Sequence, residues 1–139
     1  MTWKQLCRIG LELPDVAEGI WFRTPALKVR GKSFVRLKED GKSVVFLLDS
    51  VDEQEFLIAA RPEVYFITDH YRGYPAVLAR LAALRAPECR HRLERAWRIK
   101  APKLLVKERG HASPRIDRRS GERARRQKAG ARQTGSKSG

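Results

Sequence analysis

The densest group of chemically capable side chains lies between Asp69 and Tyr74, which holds a carboxylate, an imidazole, a guanidinium and two phenol rings. The cluster could bind a phosphate or a base, with paired hydrogen bonds from Arg72 and stacking by Tyr71 or Tyr74, and it could also supply an acid/base pair. Alternatively, Asp69 caps its own turn and the segment only shapes a loop. With Trp21 added, the candidate small-ligand or enzymatic pocket consists of Trp21, His70, Arg72 and Tyr74.

A second candidate site is the run of basic residues in the β-rich stretch 20–48. Side chains alternate across a strand, so Lys28 with Arg30, and Arg36 with Lys38, should share a face opposite their apolar neighbours. We expect a solvent-exposed basic sheet face that contacts phosphates, although an ordinary solvated face has the same composition. The expected nucleic-acid-binding residues are Arg23, Lys28, Arg30, Lys32, Arg36 and Lys38, joined by Arg118, Arg119, Arg125 and Arg126 near the C-terminus.

The end of the chain carries more than half of the net charge of +14. Residues 109–139 contain ten Lys/Arg and two Asp/Glu, a net of +8, against 20 and 14, a net of +6, in residues 1–108. Apolar residues are nearly absent there, so we predict a disordered cationic tail. Phosphate contacts from such a tail would release counterions and make binding strongly salt-dependent. Weak contact with an anionic membrane, or no role at all, are the alternatives.

Several classes of protein are not expected. No apolar run is long enough to span a membrane, and no signal peptide is recognised, so we expect no membrane partner. Cys7 and Cys89 are far apart in sequence and are interpreted as reduced, buried thiols, which indicates a cytoplasmic location. Without metal-ligand spacing, a phosphate loop or a nucleophile elbow, we expect no metal, no cofactor and no enzymatic activity.

Local patterns predict the elements that would position these residues. Thr2 should cap an N-terminal helix, and Asp40-Gly41 between two β-rich runs predicts a type I′ hairpin. Ser50 to Glu53 has the form of a capping box at the start of a second helix, and another helix should begin near Pro87. Residues 76–84 are ambiguous, because helix propensity and a buried strand both fit them.

Three stretches together resemble the MmcQ/YjbR family. They are Leu13-Pro14-Asp15-Val16 with Glu18-Gly19; Thr24 to Phe34 with Arg36 to Gly41; and Phe66 to Pro75 with Ala96-Trp97-Arg98 and Ala101-Pro102-Lys103. The resemblance spans about residues 3–108. It implies an α+β fold like that of frataxin/CyaY, with an antiparallel sheet flanked by helices, and a strand from Tyr74 to Leu81.

The family has also been described as a double-wing DNA-binding motif, and the functional expectation follows from this. We expect residues 1–108 to form the α+β domain and residues 109–139 to form the basic tail. The protein should be a non-enzymatic binder of DNA, with RNA left open, that contacts phosphates with low sequence specificity. Its oligomeric state is left open, and a monomer is compatible with the sequence.

Overall fold

The computed structural model describes residues 1–110. The predicted tail from residue 111 onward, including Arg118, Arg119, Arg125 and Arg126, lies outside the described residues. The chain divides into two units, Met1–Ala101 and Pro102–Gly139. Within the second unit the structure describes one short helix, Lys103–Arg109.

The first unit contains a six-stranded, wholly antiparallel sheet in the order β1-β2-β3-β4-β6-β5. The strands are β1 Val16–Trp21, β2 Thr24–Val29, β3 Lys32–Leu37, β4 Ser43–Leu47, β5 Tyr65–Phe66 and β6 Ala76–Arg80. The helices are α1 Trp3–Gly10, α2 Val51–Ala60 and α3 Ala86–Lys100, with 3₁₀ turns at Asp69–Tyr71 and Leu81–Ala83; the helix of the second unit is α4. The predicted α+β class and antiparallel sheet are confirmed.

One face of the sheet packs against α1 and α3. Leu27 lies opposite Val35, and Val35 lies opposite Phe46, so these three fully buried side chains share a face. A Cβ atom placed on Gly10 would lie 2.3 Å from Leu27 Cδ1 and 3.7 Å from Leu93 Cδ1, which leaves room only for glycine where α1 approaches the sheet. Arg36 follows Val35 and therefore points to the opposite face.

The local predictions for the helices and for the ambiguous segment are largely confirmed. Thr2 and Gln5 form a reciprocal capping box on α1. Ser50 accepts the backbone N–H of Glu53 at 3.2 Å, as predicted, but the Glu53 carboxylate accepts the backbone N–H of Asp49 at 3.3 Å, so the predicted capping box forms only in its first half. Residues 76–80 form β6 and not a helix, because they pair between β4 and β5 in the middle of the sheet.

The prediction of a type I′ turn at Asp40-Gly41 is wrong, although the hairpin itself exists. Of these two residues only Gly41 has a positive φ, of 70°, whereas a type I′ turn needs both. The Asp40 carboxylate instead accepts the backbone N–H groups of Lys42 and Ser43 at 2.7 and 3.0 Å. These bonds stabilise a longer loop, so the side chain of the aspartate outweighs the preference of the Asp-Gly pair.

Positive φ angles at two successive residues occur at the other two hairpins. Trp21 pairs with Thr24 and leaves Phe22-Arg23 as the turn, with φ of 52° and 68°. Arg30-Gly31 forms the turn between β2 and β3, with φ of 49° and 83°. In both cases the strand register leaves two residues for the turn, and the twist of the strands then requires the left-handed conformation.

Candidate functional site

An aromatic-lined cavity of about 330 Å³ lies on the face of the sheet that carries Arg36. We call it the aromatic pocket. Its lining residues are Trp21, Phe22, Arg36, Val45, Leu47, His70, Tyr71, Tyr74 and Ala76. Its volume falls at the small end of the range of ligand sites, and its walls combine rings and aliphatic side chains with few polar groups.

The turn between β1 and β2 supplies one wall. The rings of Trp21 and Phe22 stack with centroids 5.2 Å apart and planes inclined by 28°. Phe22 remains 66% exposed, although it is a large apolar residue. A bulky residue in the left-handed region costs about 1–2 kcal/mol, and Phe22-Arg23 places two non-glycine residues there. Strain of this kind is common at binding sites, where it fixes a side chain in a required position.

The segment after β5 supplies the opposite wall. Tyr71 is 7% exposed, its ring meets His70 edge-on at 5.0 Å, and the Tyr74 ring lies 6.4 Å from it. Buried Gln54 of α2 holds this segment in place. Its Nε2 donates hydrogen bonds to the carbonyl oxygens of Tyr71, Tyr74 and Ala76 at 3.0, 2.8 and 2.7 Å. A single glutamine inside a helix forms no motif, so nothing in the sequence singled out Gln54.

Arg36 lies in the floor of the pocket and is only 5% exposed. Its Nη1 donates to Thr24 Oγ1 at 3.1 Å, and its Nη2 donates to the Tyr71 hydroxyl at 3.0 Å. The guanidinium also lies over the Phe22 ring, 5.3 Å from its centroid. The expectation that Arg36 projects into solvent is therefore wrong, because the Tyr71 segment and the Phe22 turn cover this face of the sheet.

The charge of Arg36 is only partly compensated within the protein. Both hydrogen-bond acceptors are neutral hydroxyls, and the carboxylate of Glu39 is 3.7 Å from Nη1, beyond hydrogen-bonding distance. A guanidinium has five N–H donors, and buried charges normally need a close partner. Among residues 1–110 no further hydrogen-bond acceptor for these donors is found, and Arg36 lines the pocket.

The structure brings together three of the four residues of the candidate pocket. Trp21, His70 and Tyr74 line the aromatic pocket, whereas Arg72 does not. The Arg72 side chain is 73% exposed, and its Nη2 bonds Asp69 Oδ1 at 2.8 Å. The inclusion of Arg72 was therefore wrong: its partner is the aspartate three residues earlier, and the cation in the pocket comes from β3.

The basic residues of the predicted sheet face are not gathered on one exposed surface. Arg30 Nε is 2.6 Å from Asp15 Oδ2, and this pair lies at the end of the sheet away from the Phe22 turn, because successive antiparallel strands reverse direction. Lys38 Nζ is 3.6 Å from Glu39 Oε1 and 5.8 Å from the centroid of the Tyr71 ring.

The other basic residues of the set differ from one another in their surroundings. The aliphatic stem of half-buried Lys28 crosses β1, since a Cβ on Gly19 would lie 3.0 Å from Lys28 Cδ and Cε. Arg23 and Lys32 are exposed, at turns on opposite ends of the sheet. The expectation of one continuous basic face is therefore wrong, because burial, ion pairs and strand reversal separate its members.

A larger depression of about 740 Å³ lies elsewhere in the first unit, with Asp40, Phe66 and Arg80 in its lining. Two of its polar side chains already have partners. Asp40 is bonded to the β3–β4 loop, and Arg80 donates to the Pro62 carbonyl at 3.1 Å and lies 4.3 Å from the Phe66 ring centroid.

The two cysteines are buried and unpaired, as the sequence predicts. Burial raises the pKa of the Cys7 thiol to about 11 and that of Cys89 to about 12, so neither is a thiolate at neutral pH. Within residues 1–110 no helix is long and apolar enough to cross a membrane.

Taken together, the residues of the first unit form an α+β fold with α1 and α3 on one face of its sheet and an aromatic pocket on the other. The sequence model of the YjbR family matches residues 11–99, which include the sheet and nearly all of α3. The chain belongs to the YjbR family.

Similar proteins agree with this assignment. The chain is 49% identical over 120 residues to uncharacterized protein Mb2600 of Mycobacterium bovis and to uncharacterized protein Rv2570 of Mycobacterium tuberculosis. Each match covers 76% of this chain and 92% of the relative. Among solved structures, Deinococcus radiodurans protein DR2400, with a DUF419 domain, is similar with a TM-score of 0.61 and 22% identity. That match covers 78% of this chain and 88% of the other and supports the fold alone.

Proposed function

We propose that this protein binds a small planar molecule in the aromatic pocket. The observation that carries the proposal is the convergence of four aromatic rings, from Trp21, Phe22, Tyr71 and Tyr74, on one cavity. The rings come from two segments about 50 residues apart in sequence. Each segment is fixed independently of any ligand, one by a strained turn and the other by the hydrogen bonds of Gln54.

This rigidity favours binding because little conformational entropy remains to be lost. Phe22 and Tyr74 are 66% and 52% exposed at the rim, and a planar ligand would cover apolar surface on both. Stacking between aromatic rings adds about 0.5–1.5 kcal/mol for each well-oriented pair. A flat, ring-containing molecule therefore gains more here than a flexible one of the same size.

Binding of a neutral planar probe, naphthamide, tests the proposal by saturation-transfer NMR and a titration. We expect Phe22→Ala to weaken binding about tenfold, which corresponds to the loss of one ring contact and its buried area. Phe56→Ala is the matched control, because Phe56 on α2 is 68% exposed and does not line the pocket. Equal effects of the two substitutions, or no binding by the wild type, would reject the pocket as a binding site.

A second candidate is contact with DNA or RNA phosphates at low sequence specificity. Two observations support this candidate. Arg23 and Lys32 are exposed, and no ion pair is found for them within the described part of the chain. Residues 109–139 also carry a net charge of +8. Salt titration of DNA affinity is the test, since each neutralised phosphate contributes a slope of about −0.9. Deletion of residues 109–139 should flatten the slope, and Arg23→Glu with Lys32→Glu should weaken what remains. A slope near zero in the full chain rejects this candidate.

Two finer descriptions are also proposals. The first is that the fold is of the frataxin/CyaY, double-wing type, which the antiparallel sheet with α1 and α3 on one face supports. The second is a cytoplasmic location, which the buried, unpaired cysteines support because disulfides are rare in reducing compartments.

A further inference from the structure

The floor of the aromatic pocket contains more hydrogen-bond donors than the protein itself uses. Arg36 contributes two N–H groups to the hydroxyls of Thr24 and Tyr71 and has others left over. The Thr24 hydroxyl proton is already donated to the Trp21 carbonyl at 2.9 Å. The Tyr71 hydroxyl accepts from Arg36, and no acceptor for its own proton is found within residues 1–110. A bound molecule would therefore meet N–H and O–H donors side by side.

The net charge at this floor is positive. Glu39, the carboxylate near Arg36, is shared with Lys38 at 3.6 Å, and its side chain is 65% exposed. The pKa of Glu39 is lowered, first by a hydrogen bond from its own backbone N–H and then by Lys38 and Arg36, so it is ionised at neutral pH. Water screens so exposed a carboxylate, and it balances a buried guanidinium only weakly.

We infer that the ligand of the aromatic pocket is a planar molecule with a single carboxylate, which Arg36 and Tyr71 bind at the pocket floor. This inference rests on the proposed function and names the class of ligand. A carboxylate is planar and has two acceptor oxygens, so it matches one N–H donor from Arg36 and the O–H of Tyr71, or two N–H donors from the guanidinium. The aromatic and aliphatic walls would hold the uncharged ring system.

Other ligand classes fit the pocket less well. A quaternary ammonium group would suit the rings alone, but the guanidinium in the floor would repel it. A phosphate monoester carries up to two negative charges, and within the described residues the lining of the pocket contains one permanent cation, Arg36. Lys38, whose ammonium lies 5.8 Å from the Tyr71 ring centroid, does not line the pocket and is paired with Glu39. One positive charge in the lining of the pocket therefore favours a monocarboxylate.

Isothermal titration calorimetry with three probes that share a ring system tests the inference: naphthoate, neutral naphthamide and naphthyl phosphate. Hydrogen bonds to a charged group contribute more binding free energy than hydrogen bonds to a neutral amide. We therefore expect naphthoate to bind the wild type about 10- to 100-fold more tightly than naphthamide. In Arg36→Met this preference should fall to near one. In Lys32→Met, which removes an exposed cation outside the pocket, the preference should be unchanged.

Tyr71→Phe provides a second variant that keeps the ring and removes only the hydroxyl. We expect it to reduce the preference for naphthoate over naphthamide about three- to tenfold while naphthamide binding stays unchanged. If naphthamide binds the wild type as tightly as naphthoate does, the inference is overturned and the pocket function stands. Tighter binding of naphthyl phosphate would also overturn it. If none of the three probes binds, both this inference and the proposed function are rejected.

Discussion

The substitution Gln54→Leu should both destabilise the protein and loosen the pocket. Gln54 is 2% exposed, and leucine has a similar volume, so the change removes hydrogen-bond donors without opening a large cavity. The side-chain amide has two N–H groups, which are shared among the carbonyls of Tyr71, Tyr74 and Ala76. These bonds connect α2 to the segment that carries two of the pocket's aromatic rings.

The expected loss can be worked out from these contacts. The Tyr71 and Tyr74 carbonyls keep one backbone hydrogen bond each, from the N–H groups of Tyr74 and Ala76 at 3.0 and 2.7 Å. The substitution therefore removes hydrogen bonds without leaving these two carbonyl oxygens unpaired. Losing a hydrogen bond destabilises a protein less when the remaining partner keeps another one. At about 1 kcal/mol per bond, Gln54→Leu should lower the free energy of unfolding by about 2–3 kcal/mol. That is a large part of the stability of a domain of this size.

Urea unfolding followed by circular dichroism measures this loss, and naphthamide titration reports on the pocket. Glu55→Leu is the matched control, since it makes the same kind of change at an exposed neighbour in α2 and should alter stability by less than about 0.5 kcal/mol. We expect naphthamide affinity to fall in Gln54→Leu and not in Glu55→Leu. If the two variants have the same urea midpoint, Gln54 does not hold the pocket segment as described.

Three further predictions follow from the turn and the ion pairs. Replacing the Phe22-Arg23 turn by Asn-Gly (Phe22→Asn, Arg23→Gly) should raise the free energy of unfolding by about 1–2 kcal/mol in a thermal melt, because these residues adopt positive φ angles more easily. Naphthamide binding should weaken at the same time. Unchanged stability would contradict the claim that the Phe22-Arg23 turn is strained. Burial raises the pKa of Glu53, but the hydrogen bond and positive charge of buried Arg92, together with the Asp49 N–H and Arg95, outweigh it, so the pKa of Glu53 is lowered. Its stabilising contribution is therefore full above its ordinary pKa of 4.5 and is lost as the pH falls through the lowered folded value. Glu53→Gln should cost about 1–2 kcal/mol at pH 7 and remove this acid-range loss in urea titrations, whereas parallel pH profiles would contradict it. Glu39→Gln should raise naphthoate affinity about two- to threefold in calorimetry, because a competing negative charge is removed near Arg36; a fall in affinity would contradict that role.

Local sequence patterns predicted the elements better than they predicted the site. The Thr2 cap and the hairpin at Asp40-Gly41 depend on neighbours in sequence, and these predictions were confirmed, apart from the turn type at Asp40. Helix propensity alone did not identify the strand at residues 76–80, because its apolar residues are buried by strands on both sides of it and that pairing is not local. The resemblance to the MmcQ/YjbR family, and not helix propensity, predicted a strand from Tyr74 to Leu81.

The site depends on contacts that no local pattern contains. The alternation of side chains along a strand correctly predicted that Arg36 lies on the face opposite Val35. It could not indicate that other residues cover this face. The cover comes from Tyr71, 35 positions along the chain, and from a turn whose conformation follows from strand register. Trp21, His70, Tyr71 and Tyr74 were recognised by residue type, whereas Phe22 and Gln54 gained their roles only from the assembled fold.

The most direct test is an ¹H–¹⁵N correlation spectrum of the full chain titrated with naphthoate. We expect chemical-shift changes to concentrate at the Trp21 indole N–H, the Arg36 side-chain Nε–H and the backbone of residues 70–74, and to saturate at one ligand per chain. Saturable shifts at other sites, or none at Arg36 and Trp21 while the probe is in excess, would contradict the assignment of this pocket as the binding site.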